Sequence, residues 1–212
     1  MVEGKVPDII IGRLPLYLRA LSRLREAGVE VTSSQELGAQ LGISSAQIRK
    51  DLSQFGEFGK QGTGYNVPFL IAQLRRILRI EHVWDVALIG VGDLGRAIAN
   101  YGGFLDRGFR IALAFESDPD KIGQQVGALT VMDMARLEQE IRSREVRMAM
   151  LAVPAAAAQE VADRLVASGV VGILCYAPTS IAVPAGVQVQ YTDPVLHLQH
   201  MTFYLGSDHS PR

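Results

Sequence analysis

The sequence predicts an α/β fold in which a small helical domain precedes a doubly wound parallel sheet. Three observations support this prediction. From about residue 85 onward, short apolar runs alternate with helical stretches, as in sheets whose strands are buried on both faces. Glycines at G-x-G-x-x-G spacing follow the first of these runs. Further upstream, between residues 33 and 55, two short capped helices are separated by a tight turn.

Length and composition limit the classes of protein to consider. The 212 residues suffice for one large or two small domains, and 48% of them are hydrophobic, which is ample for packed cores. No apolar run approaches the ~20 residues that a membrane helix needs. Residues 1–12 lack the layout of a signal peptide, so we expect a cytoplasmic protein with no membrane contact. Cys175 is the single cysteine, which excludes an intrachain disulfide.

The charge distribution suggests two domains with different partners. Residues 1–80 contain 11 Lys/Arg and 7 Asp/Glu, a net charge of +4, whereas residues 81–212 contain 10 and 15, a net charge of −5. Chance clustering would produce the same numbers. We predict domains over 1–80 and 81–192, followed by a terminal helix and tail over 193–212.

The first helix is predicted over residues 9–27. Its leucines fall on one face, with arginines around them. Pro15 should kink this helix or mark its effective start, and Gly28 is suited to end it. The leucines are Leu14, Leu18, Leu21 and Leu24.

Two capped helices come next. Ser33-Ser34-Gln35-Glu36 has the capping-box pattern and opens a helix that closes at Leu41-Gly42. Ser44-Ser45-Ala46-Gln47 has the same pattern and opens a helix that runs to about Phe55. Two helices joined by a tight turn with glycine are typical of a helix-turn-helix.

The second of these helices has a polar, basic face suited to a major groove. Ile48, Leu52 and Phe55 form the opposite, buried stripe. An ordinary amphipathic helix with a solvated Arg-Lys pair would show the same pattern. The residues predicted to face DNA are Ser45, Ala46, Gln47, Arg49, Lys50 and Ser53.

A glycine-rich stretch over residues 56–64, with Lys60 near its centre, directly follows this helix. The pattern favours a wing, a hairpin whose tip lies along phosphates or enters the minor groove. A bare surface hairpin is the alternative. With an amphipathic helix over residues 68–79, the segment forms a winged helix-turn-helix domain.

The glycine loop indicates a Rossmann-type dinucleotide site. A buried strand is predicted over 85–89, a helix over 94–101 and a second strand over 110–115 that ends in Glu116. The three glycines allow a tight turn, a close approach of backbone to a pyrophosphate, and close packing of helix on strand. Glu116 stands where an acid should hold the ribose hydroxyls. The loop residues are Gly90, Val91, Gly92, Asp93, Leu94 and Gly95. Asp93 is unexpected, because a carboxylate beside a pyrophosphate is repulsive.

The rest of the chain continues the alternation. We predict helices over 133–144 and 155–167, and strands over 146–153, 170–176 and 187–191. In such sheets the ligand lies at the carboxyl ends of the strands. The residues at these ends, candidates to line a nicotinamide pocket, are Val153, Pro154, Tyr176, Ala177 and Pro178. Strand termination by proline is the alternative for them, and we interpret Cys175 as a core residue.

The terminal helix begins at Asp193-Pro194, a cap followed by proline at the first helical position. It is apolar on more than one side up to Leu205, which would leave a large apolar patch on a monomer. This favours a dimer arm, although packing on its own chain is the alternative. His197 and His200 could bind a metal, but with no third ligand evident we predict no metal site.

The motifs and their order resemble the redox-sensing transcriptional repressors of the Rex family. The matching stretches, which cover nearly the whole chain, are RLPLYLRAL, SSAQIRKDLSQFGEFGKQGTGYNV, GVGDLG, ESDPDKIG and LCYAPTSIAVP. The resemblance implies a winged helix joined to a Rossmann domain that binds NADH and NAD, with a C-terminal helix exchanged across a homodimer. It also implies a repressor that binds an inverted-repeat operator when NADH is low and is released by NADH.

Coupling between the two sites requires a ligand to discriminate between two states of the protein. We hypothesise that Asp193 pairs with Arg19 in one state and accepts a hydrogen bond from Tyr101 in the other. The alternative is that Asp193 only caps its helix and that Arg19 is solvated.

Two other functions remain open at this point. One is an NAD-dependent dehydrogenase-like enzyme with a basic N-terminal extension. Against it, no nucleophile is paired with a base, no substrate domain follows the Rossmann unit, and the histidines lie away from the expected nicotinamide position. These are His82, His197, His200 and His209. The other is a winged-helix regulator that senses a different nucleotide.

Overall fold

A computed structural model of the protein describes residues 6–59 and 64–205. The chain divides into two compact units, and the division falls between His82 and Val83. Lys60 and His209 lie outside the described residues. Within the described ranges, no helix is long and apolar enough to cross a membrane.

The first unit is helical, with one short two-stranded sheet in its described part. The strands are antiparallel, with Val31 opposite Asn66. The elements are α1 (Asp8–Glu26), β1 (Val31–Thr32), α2 (Ser34–Leu41), α3 (Ser45–Ser53), β2 (Tyr65–Asn66) and α4 (Val67–Ile77).

Helix α1 is continuous through Pro15, which therefore does not mark its start. The helix begins after Pro7, whose fixed φ and missing donor suit the residue before a first turn. It ends before Gly28, whose φ of 77° lies in the left-handed region that favours glycine.

The capping box of α2 is confirmed. The Ser33 hydroxyl accepts from the Glu36 amide at 3.1 Å, and the Glu36 carboxylate accepts from the Ser33 amide at 2.7 Å. Helix α3 forms only half of the predicted box: Ser44 Oγ accepts from the Gln47 amide at 3.2 Å, but the Gln47 side chain bonds elsewhere. Helix α3 also ends at Ser53, two residues before the predicted end.

The core of the first unit lies between α1, α3 and α4. Leu14 and Leu21 of α1 are fully buried against Ile48 of α3 and Leu70 and Leu74 of α4. These side chains fall at the helical spacing of an amphipathic face, so their burial positions α3 with its opposite side outward.

The second unit contains one seven-stranded sheet with helices in its connections. Its strands are β3 (Trp84–Ile89), β4 (Phe109–Glu116), β5 (Gln125–Val126), β6 (Leu129–Asp133), β7 (Met148–Leu151), β8 (Gly172–Cys175) and β9 (Gln188–Tyr191). Its α-helices are α5 (Asp93–Ala99), α6 (Leu137–Ser143), α7 (Ala155–Ala167) and α8 (Pro194–Leu205), and 3-10 turns cover Gly102–Arg107 and Met134–Arg136.

The strand order is β5-β6-β4-β3-β7-β8-β9, in which only the edge strand β5 is antiparallel to its neighbour. Without β5, the order is that of the doubly wound Rossmann sheet, with its switch point between β3 and β7. Alternate residues of β3 belong to two separate hydrophobic clusters. Ala87 and Ile89 lie in one cluster, and Val86 and Leu88 lie in the other. Both faces of the sheet are therefore covered, as predicted for a parallel sheet.

Two sequence predictions in this unit were wrong in detail. The segment predicted as a helix from Asp133 instead begins with the last residue of β6, and α6 starts only at Leu137. Strands β5 and β6 were missed. Strand β6 joins the sheet by pairing with β4, Val131 opposite Ala114, a long-range contact that short segments of mixed polarity do not signal.

Helix α8 has an exposed surface along its whole length. Every one of its residues from Pro194 to Leu205 is exposed, including Phe203 at 79% and Leu205 at 66%. The alternative that this helix packs on its own chain is therefore not what the structure shows.

Candidate functional site

The glycine loop connects β3 to α5 at the carboxyl edge of the sheet. Gly90 has φ 91°, in the left-handed region, and a Cβ there would overlap the Ala152 carbonyl oxygen. A Cβ on Gly95 would overlap the Gly90 carbonyl oxygen. Gly90 is therefore required by the turn and by the approach of β7, and Gly95 by the packing of helix on strand.

Gly92 differs from the other two glycines. A Cβ on Gly92 would meet nothing within 4 Å, so the protein itself does not require glycine there. Open space beside the first turn of a helix is what a pyrophosphate needs to approach the backbone, and the helix N-terminus favours its negative charge. The loop therefore fits a dinucleotide.

Glu116 ends β4 beside this loop. Its carboxylate accepts hydrogen bonds from the backbone amides of Val91 at 2.9 Å, Ser117 at 2.7 Å and Asp118 at 3.2 Å. Burial alone would raise the pKa of Glu116, but these amide hydrogen bonds outweigh it and hold the pKa below its ordinary value. Lys121 Nζ lies 3.9 Å from the same carboxylate. Glu116 is therefore an anionic acceptor, as ribose hydroxyls require.

The remaining loop residues divide into exposed and buried ones. Asp93 and Leu94, at the start of α5, are exposed. The Val91 side chain is buried in a core cluster, so this residue meets a ligand only through its backbone, whose amide already bonds to Glu116.

The carboxyl ends of β7 and β8 lie at the same edge of the sheet as the glycine loop. Ile89 pairs with Leu151, and Leu151 with Cys175, so the residues that follow reach one edge of the sheet together. Val153 Cγ1 would stand 3.1 Å from a Cβ on Gly90. The structure thus brings together two segments that the sequence places more than sixty residues apart.

The predicted pocket residues differ in accessibility. Val153 and Tyr176 are half-buried, Pro154 and Pro178 are exposed, and burial raises the pKa of the Tyr176 phenol. The Ala177 side chain is buried in the core, so Ala177 could line a nicotinamide pocket only through its backbone. Cys175 is confirmed as a core residue, and burial raises the pKa of its thiol.

The loop between β8 and β9 is held by two side chains that the sequence analysis missed. The Gln159 carboxamide donates to the Ala182 carbonyl at 3.0 Å and accepts from the Ala182 amide at 2.8 Å. The Tyr191 hydroxyl accepts from the Ile181 amide at 3.0 Å. These contacts fix the segment that follows Pro178, and no local sequence pattern signals them.

In the first unit, α3 has an exposed polar face. Ala46, Arg49, Lys50 and Ser53 are exposed, whereas Ser45 and Gln47 are half-buried. The Arg49 guanidinium donates to Ser34 Oγ at 3.0 Å across a cleft of about 630 Å³ between α2, α3 and residues 56–59 and 64–65. The face combines cations with hydrogen-bonding side chains on one side of a short helix, an arrangement that suits a DNA groove.

Asp51 was missed by the sequence analysis. It is fully buried on the core side of α3, and its carboxylate accepts from Arg13 Nε at 2.6 Å, Arg13 Nη2 at 2.8 Å and Tyr17 Oη at 2.5 Å. Gln47 Nε2 also donates to it at 2.7 Å. One signal was available: Asp51 lies three residues after Ile48, on the stripe predicted to be buried, where a charge needs a partner.

The three residues of the proposed relay have the following local contacts. The Tyr101 hydroxyl accepts from Arg107 Nη1 at 2.6 Å, and the Arg107 guanidinium lies 5.9 Å from the Tyr101 ring centre. Asp193 Oδ1 accepts from the Val195 amide at 2.9 Å, so this residue does cap α8. Arg19 is exposed on α1.

His197 and His200 are exposed on α8. Among the residues that the structure describes, no group of three His, Cys, Asp or Glu side chains is placed to hold a metal ion.

Known proteins match both units. Residues 81–179 match the family model described as "CoA binding domain", and residues 5–53 match "Putative DNA-binding protein N-terminus". The chain is 53% identical to the redox-sensing transcriptional repressor Rex of Chloroflexus aurantiacus over 95% of both chains. It is 54% identical to that of Roseiflexus sp. over 95% of this chain and 92% of the relative. The chain belongs to the Rex family.

Solved structures of the family are similar over nearly the whole chain. A Rex-family repressor, RSP, solved in complex with β-NAD+ and operator DNA is 35% identical, with a TM-score of 0.91 over 97% of this chain and 95% of that one. The same repressor with β-NADH has 33% identity and a TM-score of 0.87 over 97% of both chains.

Family membership confirms the predicted fold class, a helical DNA-binding region followed by a Rossmann-like sheet. It also decides against the dehydrogenase-like alternative, because the relatives are named as transcriptional repressors, which are regulators rather than enzymes.

Proposed function

We propose that this chain is a homodimeric transcriptional repressor that binds inverted-repeat operator DNA and is released when NADH binds. The observation on which the proposal rests is that the glycine loop and the exposed polar face of α3 belong to one chain. That chain matches, over 97% of its length, a repressor solved with β-NAD+ and operator DNA. A repressor of chromosomal genes acts in the cytoplasm, where we place this protein.

The dinucleotide would bind the second unit, in the part that corresponds to the NAD(H)-binding domain predicted over 81–192. Gly90, Gly92 and Gly95 would surround the pyrophosphate, and Glu116 would accept from the adenosine ribose. The nicotinamide would lie against the ends of β7 and β8, at Val153, Pro154, Tyr176 and Pro178 and at the backbone of Ala177. Since Glu116 is anionic, a 2′-phosphate would be repelled, which favours NADH over NADPH.

DNA would bind the first unit, the domain predicted over 1–80. The exposed side of α3 would enter the major groove, so that Gln47 and Arg49 or Lys50 meet base edges. Ser45, Ala46 and Ser53 would line the same contact, and Lys60 would meet the phosphates.

A dimer is supported by α8. Its exposed apolar side chains would be costly to leave in water on a monomer, and exchange of this helix between two chains would bury them. A two-fold dimer spaces two recognition helices for two half-sites, which is why the operator would be an inverted repeat.

NADH binding would lower DNA affinity by favouring a state in which the distance between the two recognition helices does not match the distance between the half-sites. We retain Arg19, Tyr101 and Asp193 as the candidate switch. Asp193 would exchange its pairing between Arg19 and Tyr101 while still capping α8.

The proposal is tested by fluorescence anisotropy on a palindromic DNA library, titrated first with NADH and then with NAD. We expect a selected operator to bind tightly, NADH to release it, and NAD to compete with NADH while having little effect alone. An operator complex that is insensitive to NADH, or the absence of a preferred sequence, would contradict the proposal.

A further inference from the structure

The buried carboxylate of Asp51 connects α1 to the half-buried Gln47 of α3. It accepts two hydrogen bonds from Arg13 and one from Tyr17, which lie 38 and 34 residues earlier in the chain. Its fourth partner, Gln47, is one turn before it on α3. Gln47 is the only one of these partners that we also expect to contact a base.

The charge of Asp51 fixes which way the Gln47 carboxamide points. Burial by itself would raise the pKa of Asp51, but the hydrogen bonds from Arg13, Tyr17 and Gln47 outweigh it and keep the pKa below its ordinary value. An ionised carboxylate only accepts hydrogen bonds. The nitrogen of Gln47, not its oxygen, must therefore face Asp51, as the 2.7 Å contact has it.

This orientation leaves one hydrogen-bond acceptor and one donor of Gln47 for DNA. One N–H of the carboxamide is used by Asp51, which leaves Oε1 and the second N–H. In the major groove, an acceptor beside a donor matches adenine, whose N6 donates and whose N7 accepts.

We propose that Asp51 is a positioning residue for base recognition, which fixes the Gln47 carboxamide so that it contacts an adenine in each operator half-site. This inference rests on the proposed function, because it assumes that α3 enters the major groove. The two guanidinium hydrogen bonds and the Tyr17 hydrogen bond hold the Asp51 carboxylate in place. Through this carboxylate, residues of α1 determine the orientation of the Gln47 side chain, although they do not themselves contact DNA.

The test is a comparison of parent and Asp51→Asn on the selected operator and on operators changed at one base pair at a time. In Asn an NH2 group replaces one carboxylate oxygen, and the negative charge is lost. An NH2 group at the Oδ1 position cannot accept from Gln47 and Arg13 Nη2, and one at the Oδ2 position cannot accept from Arg13 Nε and Tyr17, so in both orientations the link from α1 to Gln47 is weakened. We expect Asp51→Asn to lose discrimination at one adenine per half-site by roughly 5- to 150-fold, the range of a bidentate base contact. Affinity for non-specific DNA and its salt dependence should stay at the parent's values.

A double-mutant cycle separates positioning from general destabilisation. Gln47→Ala should lose discrimination at the same base pair, and Asp51→Asn should add no further loss in the Gln47→Ala background. Glu36→Gln is the matched control, because Glu36 also accepts hydrogen bonds in the first unit, but from Ser33 and Thr32, which lie outside α3. It should leave the base preference unchanged.

Arg13→Lys decides the question if Asp51→Asn does not fold. It keeps the positive charge beside Asp51 but removes the paired guanidinium bonds, and the Arg13 side chain is already 20% exposed. We expect it to weaken discrimination at the same base pair.

Three results would overturn the positioning role: folded variants that keep the parent's discrimination at every base pair, losses at a base pair other than that of Gln47→Ala, or a preferred base other than adenine there. A parent that prefers no DNA sequence would instead contradict the proposed function itself.

Discussion

The Glu116 carboxylate accepts a hydrogen bond from the backbone amide of Val91, with Oε2 and N 2.9 Å apart. The two residues lie 25 positions apart: Glu116 ends β4, and Val91 lies in the glycine loop that follows the neighbouring parallel strand β3. The acid expected to hold the ribose is thus already fixed to the glycine loop, and a change at Glu116 should alter both ligand preference and the position of the loop.

Glu116→Gln should reduce the preference for NADH over NADPH. In the parent we expect NADH to bind on the order of tenfold more tightly than NADPH. The charged Glu116 carboxylate accepts stronger hydrogen bonds from the ribose hydroxyls than a neutral acceptor would, and it repels a 2′-phosphate. Isothermal calorimetry with both ligands measures this. Asp85→Asn removes a carboxylate paired with Arg110 at the other end of the strands and should leave the preference unchanged. Equal affinities of the parent for NADH and NADPH would remove the role given to Glu116.

Gly92→Ala and Gly95→Ala should have different effects. Alanine at Gly92 meets open space, so the melting temperature should be preserved while NADH binding weakens, because the added methyl occupies the path of the pyrophosphate. Alanine at Gly95 would overlap the Gly90 carbonyl oxygen and should lower the melting temperature as well as binding.

Thermal unfolding and calorimetry on both variants check this contrast. Gly102→Ala, at another position where a Cβ meets nothing within 4 Å, is the control that should change neither property. Unaltered NADH affinity in Gly92→Ala would place the pyrophosphate elsewhere.

Asp93→Asn should tighten NADH binding. The carboxylate is exposed at the start of α5, beside the expected position of the pyrophosphate, so its removal relieves a repulsion worth roughly two- to fivefold in affinity at low salt. The gain should shrink as salt is raised. Asp106→Asn neutralises another exposed carboxylate of the same unit and should have no such effect. Unchanged or weaker binding by Asp93→Asn would show that Asp93 points away from the ligand.

Lys60→Ala should weaken binding to all DNA sequences alike. Loss of one phosphate contact lowers the slope of log affinity against log salt by about one, whereas loss of a base contact relaxes specificity at one position at a cost of about 1–3 kcal/mol. Gln47→Ala is the comparison variant and should leave the salt slope intact. Anisotropy across a salt series measures both. An unchanged slope in Lys60→Ala would argue against a wing on the phosphates.

Asp193→Asn and Tyr101→Phe should each reduce the ability of NADH to release DNA. An Asn at 193 still accepts from the Val195 amide but does not pair ionically with Arg19, and the Phe at 101 lacks the hydroxyl. Both variants should remain folded dimers that bind operator, as size-exclusion chromatography and anisotropy would show.

Arg107→Gln is the matched control for the Tyr101 variant. It disrupts the bond between Arg107 and the Tyr101 hydroxyl but keeps the hydroxyl, so NADH should still release DNA. If Asp193→Asn and Tyr101→Phe respond to NADH like the parent, coupling runs through domain packing instead.

The sequence by itself determined the local features of this protein. The Ser33 cap, the left-handed Gly28, the Ala155–Ala167 helix and the spacing of the glycine loop depend on neighbours within one turn or one strand. Interactions of that range follow from residue type and spacing, so the two-part fold and the position of Glu116 at the end of a strand were predictable from the residues alone.

Only the tertiary structure decided which distant groups meet. Strand β6 exists because β4 offers it a pairing edge, and Asp51 is buried because Arg13 and Tyr17 arrive from α1 to satisfy it. The reason is physical, because a strand edge or a buried charge is stable only with a partner. Periodicity along the chain does not identify that partner, which for Asp51 is Arg13, 38 positions away.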